Sequence, residues 1–161
     1  MPKIVVSLPQ QTLTLLDEQG REVSRYRVST SKNGAGELNG SNCTPRGLHL
    51  VRAKIGAGLP VNTVFVDRRP SGETYTAELA RLHPKRDWIL TRILWLSGCE
   101  VGFNRLGNVD TMRRYIYVHG SPDSVEMGKP GSIGCIRMRN QDLQELFDTV
   151  AVGTSVEIRE R

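Results

Sequence analysis

Helical periodicity occurs clearly only once in this chain. Leu143, Leu146, Phe147 and Val150 recur at i, i+3, i+4 and i+7, which places four apolar side chains on one face of a helix. Asn140 is positioned to cap that helix and Gly153 to end it. The apolar sequence elsewhere comes in strand-length pieces: 4–8, 12–16, 21–30, 48–51, 88–96, 115–119 and 155–158. Asp17-Glu18-Gln19-Gly20 reads as a turn between the second and third pieces. Val23, Tyr26 and Val28 are expected to face a core, and Tyr115, Tyr117 and His119 to share one face of their strand. Short strands with frequent turns and one late helix predict a mainly β fold, a sandwich or barrel. A chain of 161 residues suits one domain, spanning residues 1–161.

Two stretches interrupt the pattern. Residues 31–44 are rich in Gly, Asn and Ser and read as a long loop. Residues 52–86 have weak periodicity, several Gly and Pro, and a possible helical turn at 77–82. That segment reads as an insertion or lid, since long irregular stretches in compact domains are often functional.

Charge narrows the possible partners. The 22 basic and 17 acidic residues give +5 at pH 7, but the basic residues are scattered and only 6% of residues are aromatic. This argues against nucleic acid and suits a small acidic substrate. No apolar run approaches the roughly 20 residues a membrane helix needs. The three cysteines, Cys43, Cys99 and Cys135, form no C-x-x-C, and His49, His83 and His119 make no ligand-spaced pair. A structural zinc site is not expected, and free thiols suit a reducing compartment. The residues after Met1 do not read as a leader, so the expectation is a cytoplasmic protein; a removed leader would make it periplasmic.

The segment 114–138 carries the chemistry. His119 ends a strand before Gly120, and Cys135 follows Gly134 shortly before the helix. A cysteine becomes a nucleophile when a base takes its proton, and a loop of this length can bring imidazole back to sulfur. The N–H groups of Gly134 and Cys135 could stabilise an oxyanion. The Gly120 carbonyl could fix the His119 tautomer. Arg137, two residues after Cys135, would share its face in extended backbone and could pair with a substrate carboxylate. Taken singly, the same residues have plainer readings: a buried apolar thiol, a satisfied histidine and a solvated arginine. Cys43 and Cys99 adjoin Gly-rich loops and could be small hydrophobes or line a cleft. His49 and His83 have no functional partner in view.

The joint pattern resembles the L,D-transpeptidase catalytic domain, the YkuD family. Its signature is His-Gly at a strand end, then Ser/Thr-His-Gly-Cys-x-Arg, matched here by His119, Gly120, Ser132, Gly134, Cys135 and Arg137. Residues 4–16, 26–30, Thr44-Pro45-Arg46-Gly47, Gly102-Phe103-Asn104 and 114–119 extend the match; 52–86 is its weakest part. The chain departs at Ile133, where the family usually has histidine.

The resemblance implies a YkuD-like β-sandwich or barrel with a loop lid over the cysteine. It implies Cys135 as nucleophile, His119 as base and Gly120 as its partner, with Arg137, Ser132, Tyr117 and Asn104 contacting substrate. Expected partners are peptidoglycan stem peptides or soluble muropeptides, with acylation by carbapenem-type β-lactams. No metal or cofactor is implied. The favoured activity is an L,D-carboxypeptidase removing terminal D-Ala from tetrapeptides during cell-wall recycling. The alternatives are an L,D-transpeptidase that forms cross-links or exchanges D-amino acids, and an inactive fragment-binding module.

Overall fold

A computed structural model describes residues 1–161. The elements are β1 (Lys3–Ser7), β2 (Thr12–Leu16), β3 (Glu22–Ser29), β4 (Gly47–Ile55), β5 (Thr63–Val66), β6 (Arg69–Thr74), α1 (Ala77–Leu82), β7 (Leu90–Gly98), a 3-10 turn (Gly107–Val109), β8 (Tyr117–Ser121), β9 (Ile136–Arg139), α2 (Asn140–Thr149) and β10 (Ser155–Arg159). Hydrogen bonding runs in the order β4-β10-β1-β2-β3-β9-β8-β7, and β7 pairs back to β4. The ring therefore closes as an eight-stranded barrel, which removes sheet edges. The β5–β6 hairpin extends from β7 through Val64 and Leu90.

Alternation within each strand builds the barrel. Ile4 and Val6 of β1, Leu13 and Leu15 of β2, and Val156 and Ile158 of β10 are all buried, while their neighbours in sequence are more exposed. They join Val118, Ile136 and Met138 in one core. Leu143, Leu146, Phe147 and Val150 of the α2 region complete the same core, as the helical spacing predicts. Each fully buried aliphatic side chain contributes about 1.5–3 kcal/mol through area removed from water.

Several expectations need correction. Val23 is 57% exposed, because the β2–β3 register shifts between Leu15 and Leu16 and a bulge turns it outward. Strand β4 continues to Ile55, so the irregular segment starts later than residue 52. That segment forms α1 at the expected 77–82 and also the β5–β6 hairpin, which its weak periodicity did not indicate. The strand expected at 88–96 begins at Leu90 and runs to Gly98. Tyr115 lies outside β8, with φ +58 and half its surface exposed, yet its ring stays on the Tyr117 side, where both pack against Trp95. Asn140 makes no cap. Its side chain is buried, accepting from Thr91 Oγ1 at 2.7 Å and donating to Asn62 Oδ1 at 3.0 Å.

Candidate active site

Parallel pairing of β8 with β9 brings the two motif halves together. Val118 lies opposite Ile136 and His119 opposite Arg137, so Cys135, one residue before β9, meets Tyr117. Val118 and Ile136 point into the main core, whereas Tyr117 and Cys135 belong to a separate cluster with Phe65 and Ile93. His119 alternates onto the Tyr117 side of β8. Cys135 and His119 thus share the face of the barrel wall turned away from the main core, beneath the β5–β6 hairpin.

The His119 ring is fully buried. Its Nδ1 lies 2.6 Å from the Gly120 carbonyl. A carbonyl only accepts, so Nδ1 carries the proton and Nε2 keeps its lone pair. Nε2 has no hydrogen-bond partner. Gly120 can occupy this place because it lacks a side chain: a Cβ there would lie 2.6 Å from the Leu90 carbonyl and collide with Asn140 Oδ1. Asn140 and the Leu90 carbonyl thereby leave room only for glycine at position 120.

The Cys135 thiol accepts from the Tyr117 N–H at 3.3 Å and donates to the Tyr115 carbonyl at 3.4 Å. It is not hydrogen bonded to His119 in this state. Burial pushes the thiol pKa up to about 12, with the Tyr117 N–H acting in the opposite direction. Burial also holds the His119 pKa below its ordinary value, opposed by Asp87 and the Gly120 contact. The resting pair is therefore a neutral thiol and a neutral imidazole, not an ion pair.

The loop before Cys135 is set by short polar contacts. Ser132 Oγ donates to the Cys135 carbonyl at 2.6 Å and accepts the Gly134 N–H at 3.2 Å. Thr44 Oγ1 donates to the Gly134 carbonyl at 2.9 Å, tying this turn to the 31–44 loop. Gly134 has φ +131, a region that disfavours side chains. Its N–H is already engaged, so it is not the free oxyanion donor expected. The Cys135 N–H takes no part in the backbone bonds of the loops and remains available.

The expected substrate contacts divide. Tyr117 lines the cleft. Ser132 is buried and shapes the cysteine loop. Arg137 does not line the cleft; it donates to Asp87 Oδ1 at 2.9 Å and to the Gly131 carbonyl at 3.1 Å. Asn104 is fully buried away from the cleft. Its Nδ2 donates to the Arg46 and Leu48 carbonyls and its Oδ1 accepts the Glu100 N–H, so it clamps the Gly47 turn. Cys99 is exposed and Cys43 half-buried; neither lines the cleft, although Asn42 beside Cys43 does.

The cleft encloses about 290 Å³ and is lined by Phe65, Arg68, Asp87, Tyr117, Ile133 and Cys135, among others. Arg68 lies within the irregular segment and Asp87 just after it, and neither belongs to the recognised motif. Arg114 lay inside the recognised motif without a role. It donates to the carbonyls of Gly36, Glu37 and Cys43 and so ties the 31–44 loop to the cleft rim. Another concavity of about 300 Å³ crosses the outer faces of β1, β2 and β10, but it contains no nucleophile beside a base. No three His, Cys, Asp or Glu side chains gather as a metal site.

Comparison with known proteins gives a consistent picture. The family model for the L,D-transpeptidase catalytic domain, YkuD, matches residues 2–158. A protein of Salmonella typhimurium described as a probable L,D-transpeptidase is 46% identical over 48 residues, 30% of this chain and 16% of that protein. The same-named Escherichia coli protein is 47% identical over 45 residues, 28% of this chain and 14% of its own length. Among solved structures, an L,D-transpeptidase from Mycobacterium smegmatis superposes with TM-score 0.58 at 18% identity, over 98% of this chain and 58% of that one. L,D-transpeptidase 3 from Mycobacterium tuberculosis, in complex with a faropenem-derived adduct, gives TM-score 0.59 at 19% identity, over 99% and 61%. The matches span under a third of these curated relatives and about three-fifths of these solved chains.

Proposed function

The chain belongs to the L,D-transpeptidase catalytic domain (YkuD) family, and on that premise we propose that it is an L,D-carboxypeptidase acting on peptidoglycan tetrapeptides. Cys135 Sγ attacks the carbonyl that joins the L-centre of the diamino acid to terminal D-Ala. His119 Nε2 takes the thiol proton, and the Cys135 N–H receives the developing oxyanion. The C–N bond breaks, D-Ala leaves as the amine with the proton from His119, and an acyl thioester remains. Water then loses a proton to Nε2 and attacks, that proton returns to sulfur as the thioester bond breaks, and the tripeptide leaves as its carboxylic acid, which gives its remaining proton to solvent. The observation that carries this reading is the unpaired Nε2 on a carbonyl-fixed imidazole that shares a buried face with the only cysteine in the cleft.

Water as acceptor is supported by the proton balance. An acceptor amine arrives largely as ammonium at neutral pH and must lose one proton before attack and another afterwards. Water arrives neutral and needs the single base present. Ile133, which lines the cleft and is 48% exposed, supplies no second base. The three unpaired cysteines suit a reducing compartment, and we place the reaction in the cytoplasm on soluble muropeptides. Carbapenem-type β-lactams are proposed to acylate the same sulfur.

The test is mass spectrometry of a diaminopimelate-containing tetrapeptide incubated with the protein, with and without a D-amino acid acceptor. Tripeptide as the main product in both arms, and none with Cys135→Ala, is expected. Product carrying the D-amino acid would make transpeptidase the better assignment. No turnover, together with no acylation of Cys135, would leave a fragment-binding module.

A further inference from the structure

We propose that Arg68 is a specificity-determining residue that binds a carboxylate of the substrate at the mouth of the Cys135 cleft. The proposal rests on the stem-peptide reading above. It begins at the tip of the β5–β6 hairpin. Val66 pairs with Arg69, so Asp67 and Arg68 form a two-residue turn, with φ +49 and +64. Two successive positive φ angles mark the type I′ geometry, which favours Asn-Gly. Arginine is a poor choice for turning the chain there, because its Cβ is crowded in left-handed backbone. Such a residue points to a use beyond the turn.

The side chain supplies that use. The Arg68 guanidinium lies 5.0 Å from the Trp95 ring and 4.6 Å from the Tyr115 ring. One nitrogen, Nη1, donates to Tyr117 Oη at 3.0 Å. Two aromatic faces and a phenol hold the plane in place and leave its remaining N–H groups without acceptors. The same tyrosine donates its backbone N–H to Cys135 Sγ, so a single residue links cation to nucleophile.

The other cations near the cleft are already engaged. Arg114 donates to backbone carbonyls of the 31–44 loop. Arg137 is paired with Asp87. Arg68 makes no ion pair, although it lines the cleft. A guanidinium held flat with open donors fits a carboxylate bidentately. Stem tetrapeptides offer three: the terminal D-Ala carboxylate, the diaminopimelate side-chain carboxylate and the D-glutamyl carboxylate.

The experiment combines Arg68→Gly with four tetrapeptides: the parent and three analogues, each amidated at one carboxylate. Glycine suits the turn, so the variant should melt no lower than the parent protein. Binding is measured by calorimetry in the Cys135→Ala background, and turnover in the Cys135 protein. Arg68→Gly should weaken binding of the parent peptide at least tenfold and raise KM by more than it lowers kcat. Amidating one carboxylate should cost the Arg68 protein the same factor and cost the Arg68→Gly variant almost nothing; that position is the bound group. Arg68→Lys should recover part of the affinity, as a single point charge. Undiminished binding by Arg68→Gly, an unchanged penalty for all three amides, or no binding of any peptide to either background would overturn the proposal. Binding that depends on Arg68 and on one carboxylate, without turnover by the Cys135 protein, would keep this proposal and sink the carboxypeptidase reading.

Discussion

Two buried histidines of this chain differ in one nitrogen. His49 sits in β4 with Nδ1 3.1 Å from the Gly47 carbonyl, and His119 sits in β8 with Nδ1 2.6 Å from the Gly120 carbonyl. Both rings are within 1% of full burial. Both are held below the ordinary histidine pKa by that burial. At the far nitrogen they part: His49 Nε2 accepts from Thr111 Oγ1 at 3.0 Å, while His119 Nε2 has nothing. Burial, a fixed tautomer and a depressed pKa are therefore common to a structural histidine and to the proposed base. The distinguishing feature is the lone pair left without a donor, on the face that also holds a thiol.

Exchanging each ring for glutamine gives the sharpest contrast. His119→Gln should lower turnover by about 10³-fold, within the range for loss of a general base, with a melting temperature near that of the parent. His49→Gln should do the reverse, lowering the melting temperature while turnover per folded molecule changes little. Steady-state assays beside thermal melts check both. Equal loss of turnover in the two variants would erase the proposed difference.

Acid titration separates the two by readout. The unfolded chain protonates His49 near 6.5, whereas the folded chain does so at about 4. Between those values the unfolded state binds more protons, so stability is complete above pH 6.5 and falls as pH drops toward 4. The gap corresponds to about 3 kcal/mol. His119 contributes in the same direction. Urea midpoints from pH 7 to pH 4 should fall steeply for the parent and less steeply for His49→Gln. The acid limb of kcat/KM, set by His119, should lie below 6.5 and stay in place in that variant.

The same contrast shows what was legible in the sequence. The core strands and α2 follow from alternation and the i, i+3, i+4, i+7 spacing, because burial on one face dictates the residue type. Cys135, His119 and Gly120 were legible as a motif, and parallel pairing of β8 with β9 explains how His119 and Cys135, 16 positions apart in sequence, come to one face. The orphan Nε2 was not legible, because it depends on which hydroxyl lies nearby: Thr111 is 62 residues from His49 in sequence. Asn104 matched the family pattern, yet its contacts are local backbone carbonyls and not the cleft. Arg137 shared the expected face, but its partner Asp87 lies in the link between the irregular segment and β7, where no periodicity marks a contact. Arg68 was hidden for the same reason: a two-residue turn usually announces itself by Asn-Gly, and Asp-Arg does not.

Removing the donor from His49 makes it resemble His119 without a nucleophile. Thr111→Val deletes the hydroxyl and leaves a buried, unpaired Nε2, which should cost about 1–3 kcal/mol. The measurement is the denaturant midpoint at pH 8, where both rings are neutral. No stability loss would mean that water reaches His49 and satisfies it. His119 carries the parallel unpaired nitrogen in the parent protein, and its proposed role is to take the thiol proton.

The smallest effect is expected from adding a third imidazole where it can be solvated. Ile133 lines the cleft but is half exposed, so Ile133→His should give a ring of near-ordinary pKa with water on its nitrogens. It lacks the burial and the fixed tautomer that the other two share. Substitutions at exposed positions usually stay within about 0.5 kcal/mol, which corresponds to roughly two- to threefold in a rate. Acylation of Cys135 by tetrapeptide should therefore change by no more than about that factor. The partition of the acyl-enzyme should respond more, because a second base can take a proton from an acceptor ammonium that His119 alone cannot handle twice. The ratio of D-amino-acid-exchanged product to tripeptide, read by mass spectrometry, should rise in Ile133→His. An unchanged ratio would show that the number of bases does not select the acceptor, and the argument for water would then have to rest on access to the cleft.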